Sequence, residues 1–243
     1  MALNVPAITQ RVAKAQLLFN AAAEVAPLEL DARLAESGDT IFASLPTRAT
    51  YRRLYRADLP ANPKAGNGFD SIIELEVDDP VALSDLTVFV DELGADVREL
   101  IDPGRSGAAA GVEYTFLQGD GDLRLVYFLH PKADWALDDF WTYWINPHSA
   151  FGPVLQDAPY RQFHNRDRAL AARFGESFGG EYLDAGGAVH RFYRDTDDLA
   201  RASANRDPGL IEAGAADTAH YVDTTRDTGN FFWVQRTIVG GHD

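Results

Sequence analysis

"FDSIIELEVDDPVALSDLTVFVDEL" (69–93) reads as a strand, an acidic turn and a helix, and the same order returns later in the chain. "GGAVHRFYRDTDDLARASANR" (186–206) is again strand, acidic turn and helix. Upstream of each lies a Tyr-Arg segment: "YRRLYRAD" (51–58) aligns with "YRQFHNRD" (160–167). Downstream of each comes another strand-like run, "GVEYTFLQ" (111–118) and "NFFWVQRTIV" (230–239). Matched segments at a nearly constant offset mark an internal repeat. It divides the chain into two units of related topology, 1–120 and 121–243.

The second unit parses as strand 123–129, helix 138–156, strand 159–165, helix 166–176, strand 187–194, helix 196–206 and strand 230–239. Asp138 and Asp139 suit the first turn of their helix, and Pro147 ends or kinks it. Apart from the extra helix, this is the β-α-β-β-α-β order of the ferredoxin-like unit. Its sheet has helices on one face only, so two such units can bury their open faces against each other and enclose a barrel. The first unit fits less well. A helix at 8–25 leaves the opening strand short or missing, 35–47 has no place, and "DPGRSGAAAG" (102–111) reads as a loop. The fold expected is α+β: tandem ferredoxin-like repeats forming a pseudo-dimeric α/β barrel.

Composition sets bounds. The 243 residues are 46% hydrophobic and 24% charged, as in ordinary soluble globular proteins, with no run long enough for a membrane span. Net charge is −15, with 37 acidic against 22 basic residues, which disfavours nucleic acid as a partner. There is no cysteine and the N-terminal residues lack a signal-peptide pattern, which fits a cytoplasmic protein. The six histidines include no metal-spaced pair, and no nucleotide-binding glycine motif occurs, so neither metal nor cofactor is expected.

Four rings at Phe140, Trp141, Tyr143 and Trp144, followed by Asn-Pro-His, give one stretch its character. "LVYFLHPKADWALDDFWTYWINPHSAFGPVLQDAPYRQFHN" resembles the EthD family of the dimeric α/β-barrel superfamily, with Phe140, Tyr143, Trp144 and His148 on its pattern. "ADTAHYVDT" (216–224) is similar to the family's acidic closing segment, departing from it at His220. The resemblance covers about 121–240. It implies paired ferredoxin-like units, often by homodimerisation, here supplied within one chain, and it does not fix one reaction. Relatives include dehydratase-type and cofactor-free oxygenase-type proteins acting on aromatic polyketides.

Strand alternation sorts the candidate residues. Placing the mixed polar-aromatic faces inside the barrel gives a lining of Tyr127, Tyr160, Gln162, His164, Trp233 and Gln235. The same residues suit an interface packed solid with rings equally well. His164 is the first choice for proton transfer, with Tyr160 beside it, because an imidazole both takes and gives a proton near neutrality. His190 is second. Tyr143 and His148 would reach the rim, His148 as a cap or supporting residue. By the repeat, Arg53 and Tyr55 stand where Gln162 and His164 stand, and Arg53 could hold an anionic oxygen opposite His164. These readings favour a cofactor-independent lyase of dehydratase type on a small apolar or aromatic substrate. A cofactor-free monooxygenase and a carrier of a hydrophobic metabolite are the alternatives.

Overall fold

Residues 10–19, expected within a helix, form strand β1 (Gln10–Phe19) in the computed structural model, which describes residues 4–45, 48–59, 68–152, 158–226 and 228–240. Alanine, lysine, glutamine and leucine are good helix formers, but propensity is a weak prior and tertiary context overrides it here. The segment is hydrogen-bonded between β3 (Ser71–Val77) and β4 (Gly107–Leu117) and is buried on both faces from Ala13 onward. The first helix, α1, is Pro27–Ala43, part of which had no place in the sequence reading. Its signals are Pro27 in the first turn and a face of Leu30, Leu34 and Phe42 at four- and eight-residue spacing.

Strand β2 (Thr50–Arg56) precedes β3, and a 3₁₀ turn (Pro80–Leu86) leads into α2 (Thr87–Val97). β4 begins at Gly107, inside the "GAAAG" run expected to be a loop. Small residues serve close packing there: a Cβ on Gly111 would sit 1.9 Å from the carbonyl oxygen of His164.

The second half runs β5 (Leu123–Leu129), α3 (Leu137–Ile145), a 3₁₀ turn (His148–Phe151) and β6 (Tyr160–His164). Then come α4 (Arg168–Phe178), β7 (Glu181–Tyr182), β8 (Gly187–Tyr193), α5 (Thr196–Ala204), α6 (Pro208–Tyr221) and β9 (Thr228–Val239). The helix expected over 138–156 stops at Ile145, ahead of Pro147; residues 153–156 of that span lie outside the described residues. α6 was not anticipated. Pro208 in its first turn and Asp207, which accepts from the Gly209 and Leu210 amides, start it.

Strand order within residues 10–117 is β4-β1-β3-β2, and within 123–239 it is β9-β5-β8-β6, the same ferredoxin-like order. Antiparallel pairing of β2 with β9 and of β4 with β6 closes eight strands into a barrel. β7 adds a short parallel contact to β4. The pseudo-dimeric barrel expected from the repeat is present in one chain.

Helices α1, α2 and α4 pack on the outside of the first half-sheet, around Ala15, Leu17, Ile73, Leu75 and Ala110. Because Leu34 is fully buried in that layer, Leu34→Ala should lower unfolding free energy by about 2–5 kcal/mol in urea titrations. A loss below about 1 kcal/mol would show the layer to be loosely packed.

The interior of the barrel has two ends of opposite character. One is apolar: Leu18, Leu54, Ile72, Ala109, Val126, Phe128, Phe163 and Phe232. The other holds charges. Lys14 Nζ lies 2.8 Å from Glu74, 3.2 Å from Glu76 and 2.9 Å from Glu113. Arg124 pairs with Glu74 at 2.5 Å, Arg161 with Glu113 at 3.3 Å and Arg52 with Glu76 at 2.5 Å.

This reverses the expected faces. Arg124, Arg161 and Phe232 point inward, and Tyr127, Tyr160, Gln162, His164 and Trp233 point outward, to the helix side. Alternation shows which residues share a face but not which face is inside, and the inward charges neutralise one another across the barrel. Gln235 departs for a second reason. The β2–β9 register shifts between Arg53/Arg236 and Leu54/Val234, so Gln235 is the extra residue of a bulge and is exposed.

Candidate active site

Helix α3 carries two functional faces. Phe140, Trp141 and Trp144 are buried, while Tyr143 turns toward α6. Asp138 and Asp139 favour its N-terminus through the helix dipole. Pro147 then redirects the chain into the 3₁₀ turn that begins with His148. Asp217, in the middle of α6, meets both side chains. Tyr143 Oη donates to Asp217 Oδ1 at 2.6 Å, and His148 Nδ1 lies 2.6 Å from Asp217 Oδ2.

Burial raises the Asp217 carboxyl, but the hydrogen bonds from His148 and Tyr143 outweigh it and hold the group below its ordinary value. The Tyr143 phenol is pushed up to about 12 by burial and by the same carboxylate. An ionised carboxylate only accepts, so His148 Nδ1 carries a proton, and in the neutral form of the ring the lone pair is the one on Nε2. No described residue hydrogen-bonds that Nε2. Tyr221 and Phe151 flank the ring with centroids 5.2 and 5.9 Å away, and Trp135 and His220 complete an aromatic rim around Tyr143.

His164 sits one layer below, and its placement corrects the first choice made from sequence. It is fully buried on the outer face of β6, stacked on Trp144 at 4.8 Å, rather than facing the interior of the barrel. Gln162 Oε1 lies 3.2 Å from its Nε2, and Arg166 Nη2 lies 3.5 Å from its Nδ1. The amide oxygen accepts, so Nε2–H donates and Nδ1 faces the arginine. Gln162 Nε2 passes the chain on to Tyr160 Oη (2.8 Å) and the Trp144 carbonyl (3.1 Å). Burial, with Arg166 adding to it, drives the His164 pKa well down, and burial raises the Tyr160 phenol. Both ring nitrogens of His164 are therefore occupied and the ring stays neutral. It positions Trp144 and the sheet; it is poorly suited to proton transfer.

His190 lies inside the barrel, with Nδ1 2.5 Å from Glu113 and Nε2 3.1 Å from the Gln16 amide. Burial and Lys14 lower its pKa against the pull of Glu113, so this ring too is neutral and fully engaged. Arg53 is tied by Nη1 to both oxygens of Asp31 on α1, at 3.0 and 3.1 Å, so it holds no substrate oxygen opposite His164. Tyr55 stands on the same outer face of β2 as Arg53, opposite Trp233. Trp233 packs with Leu123 and Tyr193, and Tyr127 packs in the layer of Trp141 and Tyr221.

Of the residues singled out from sequence, the structure joins Tyr143 to His148 and Tyr160 to Gln162 and His164, in adjoining layers. It does not bring Arg53, Tyr55, Trp233, Gln235 or His190 to either group. Asp217 was missed, although it lies in the "ADTAHYVDT" segment already noted. The acidic position that matters is Asp217, three residues before His220. Among the described residues no group of three or more His, Asp or Glu side chains could hold a metal ion. No helix among them is long and apolar enough to cross a membrane.

No protein-family model matches the chain, and no curated protein does. Solved structures do match over nearly their whole length. An anthrone oxidase-like protein has a TM-score of 0.62 at 10% identity, covering 98% of this chain and 97% of its own. The fold is that of the dimeric α+β barrels. A chlorite dismutase variant from Candidatus Nitrospira defluvii matches with a TM-score of 0.50 at 12% identity, covering 93% and 91%. A dye-decolorizing peroxidase from Bacteroides thetaiotaomicron matches at 0.50 and 9%, covering 96% of each chain. At these identities the likeness establishes architecture and leaves chemistry to the site. The narrower EthD likeness rests on the quoted motif residues.

Proposed function

We propose that the chain is an acid–base enzyme that removes a proton from carbon beside the carbonyl of a small aromatic ketone, the opening step of a dehydration. The observation that supports it is His148. It combines a carboxylate-oriented Nδ1 with an Nε2 that no described residue engages, whereas His164 and His190 have both nitrogens occupied. An imidazole held in one tautomer by a carboxylate is the arrangement a general base requires. In the reaction, the α-proton passes to His148 Nε2 and the electron pair moves onto the carbonyl. The enolate's electron pair then forms the Cα–Cβ double bond as the Cβ–O bond breaks, and the imidazolium, stabilised by Asp217, gives its proton to the β-hydroxyl, which leaves as water. General acid–base groups suffice for each step. Trp135, Tyr143, Phe151 and Tyr221 give the rim the aromatic character that a planar substrate would stack on.

A second reading, cofactor-free oxygenation, draws support from the anthrone oxidase-like neighbour, whose name points to a polycyclic aryl ketone and to an oxidation. Both reactions begin with the same deprotonation. A panel of aryl β-hydroxyketones and anthrone-type ketones in D₂O, followed by NMR, tests the shared step. We expect protein-dependent exchange at the α-carbon and loss of water that proceeds equally with oxygen excluded. Stoichiometric oxygen uptake would instead select the oxygenase reading. Saturable binding with no exchange on any member would leave a carrier and sink the enzyme proposal.

A further inference from the structure

The charged end of the barrel opens into a cavity of 260 Å³ that shares no lining residue with the His148 layer. Gln10, Val12, Thr50, Arg52, Glu76 and Val239 line it, with Arg48 and Asp78 at the rim. Its floor is the ion-pair network: Arg52 holds Glu76, and Glu76 in turn meets Lys14. Burying such a network is costly, and apolar side chains often fill the same volume at equal or lower free energy. The opposite end of this barrel is filled in that way, by Leu18, Ile72, Phe128 and their neighbours. Filling space therefore does not explain the charges. The network instead leaves the mouth above it lined by polar and charged groups, where a polar ligand can bind.

The chemistry of the walls narrows the ligand. Arg48 and Asp78 lie two residues beyond the Thr50/Glu76 pair on β2 and β3 and are exposed, and neither has an ion-pair partner among the described residues. The four charged lining residues, Arg48, Arg52, Glu76 and Asp78, sum to zero. A net-charged ligand would bring an uncompensated charge into a half-buried site, which is costly. The overall charge of −15 further disfavours a free anion. A zwitterion leaves the balance intact and engages both free groups. The cavity falls below the roughly 300–1,000 Å³ of sites for drug-sized ligands, so the occupant is smaller. Val12 and Val239 offer it an apolar wall.

We propose that this mouth of the barrel is a binding site for a free α-amino acid with an apolar side chain. Its carboxylate would lie on Arg48, with Thr50 and Gln10 beside it. Its ammonium would lie on Asp78, toward Glu76, and its side chain would cover Val12 and Val239. The inference does not depend on the His148 chemistry.

The test uses the full chain and calorimetry with the twenty common L-amino acids, followed by the two halves of one of them. L-leucine carries both charges, 4-methylpentanoate only the carboxylate and 3-methylbutylamine only the ammonium. The expected result is saturable binding of leucine or another apolar amino acid, with each half-molecule at least about tenfold weaker. Arg48→Gln and Asp78→Asn should each weaken the amino acid about tenfold or more, and His148→Gln should leave it unchanged. Both rim substitutions are at exposed positions, so circular dichroism should show an intact fold. No saturable binding by any of the twenty would overturn the proposal. So would equal binding of 4-methylpentanoate, which marks a plain anion site, or unchanged binding by both rim variants.

Discussion

Lys14→Ala is expected to cost the fold about 3–5 kcal/mol at neutral pH, the range for removing one partner from a buried ion-pair network. Lys14 is fully buried, and its ammonium is the common partner of Glu74, Glu76 and Glu113. Burial lowers its pKa, yet the three carboxylates together raise it above the ordinary lysine value. Burial raises the Glu113 carboxyl, but Lys14, His190 and Arg161 overcome this and hold it well below the ordinary range. Glu74 is likewise lowered, chiefly by Lys14 and Arg124 against burial. These depressed native values give the wild-type protein stability that is present above the unfolded carboxylate pKa of about 4.3. It is lost as pH falls below that toward the native values.

Without the lysine, the carboxylates face one another in the core, and at least one binds a proton more readily folded than unfolded. The stability deficit of Lys14→Ala should then be largest at pH 8 and shrink as pH falls toward 5, opposite to the wild-type trend. Urea titrations at both pH values read this directly. A deficit below about 1 kcal/mol, or one that grows on acidification, would mean that Lys14 does not compensate these carboxylates. Removing the three carboxylates along with Lys14 would not restore the loss, because Arg124, Arg161 and Arg52 would then be left without their glutamate partners.

This network also explains which parts of the molecule were legible in its sequence. The repeat was legible because equivalent strands kept equivalent tasks. Tyr51 and Tyr160 both face helices, and Arg52 and Arg161 both turn inward to a glutamate. Strand β1 was hidden because its residues favour helix locally, and only its neighbours β3 and β4 make it a strand. The inside of the barrel was hidden because charge usually marks an outer face. Here Lys14, Glu74, Glu113, Arg124 and His190 come from five strands and cancel only once the barrel closes. The aromatic-histidine stretch was visible as chemistry. Its orienting carboxylate was not, because Asp217 lies 69 residues from His148, on a helix that the sequence did not announce.

His148→Gln should lower turnover of any substrate that passes the α-exchange test by about 10²–10⁴-fold, the usual contribution of a general base. Glutamine can still hydrogen-bond Asp217 but cannot accept a proton from carbon. Asp217→Asn should cost a similar factor by a different route. An asparagine can present its amide N–H to His148 Nδ1, which frees the ring to carry its proton on Nε2, the wrong tautomer for a base. It also removes the negative charge that stabilises the imidazolium. Tyr143→Phe deletes only the second donor to Asp217, relaxing a carboxylate held low by both hydrogen bonds, and should have a smaller effect. The ordering separates catalysis from packing. His148, Asp217 and Tyr143 all brace α3 against α6, so a purely structural role predicts losses that track stability across all three variants. The catalytic role predicts near-wild-type substrate affinity for His148→Gln and Asp217→Asn with turnover collapsed. It also predicts nitrogen NMR shifts that report an Nδ1–H imidazole in the wild type and an Nε2–H imidazole in Asp217→Asn. His148→Gln turning over at the wild-type rate would remove the base from the proposal. An unchanged tautomer in Asp217→Asn would remove the carboxylate's orienting role.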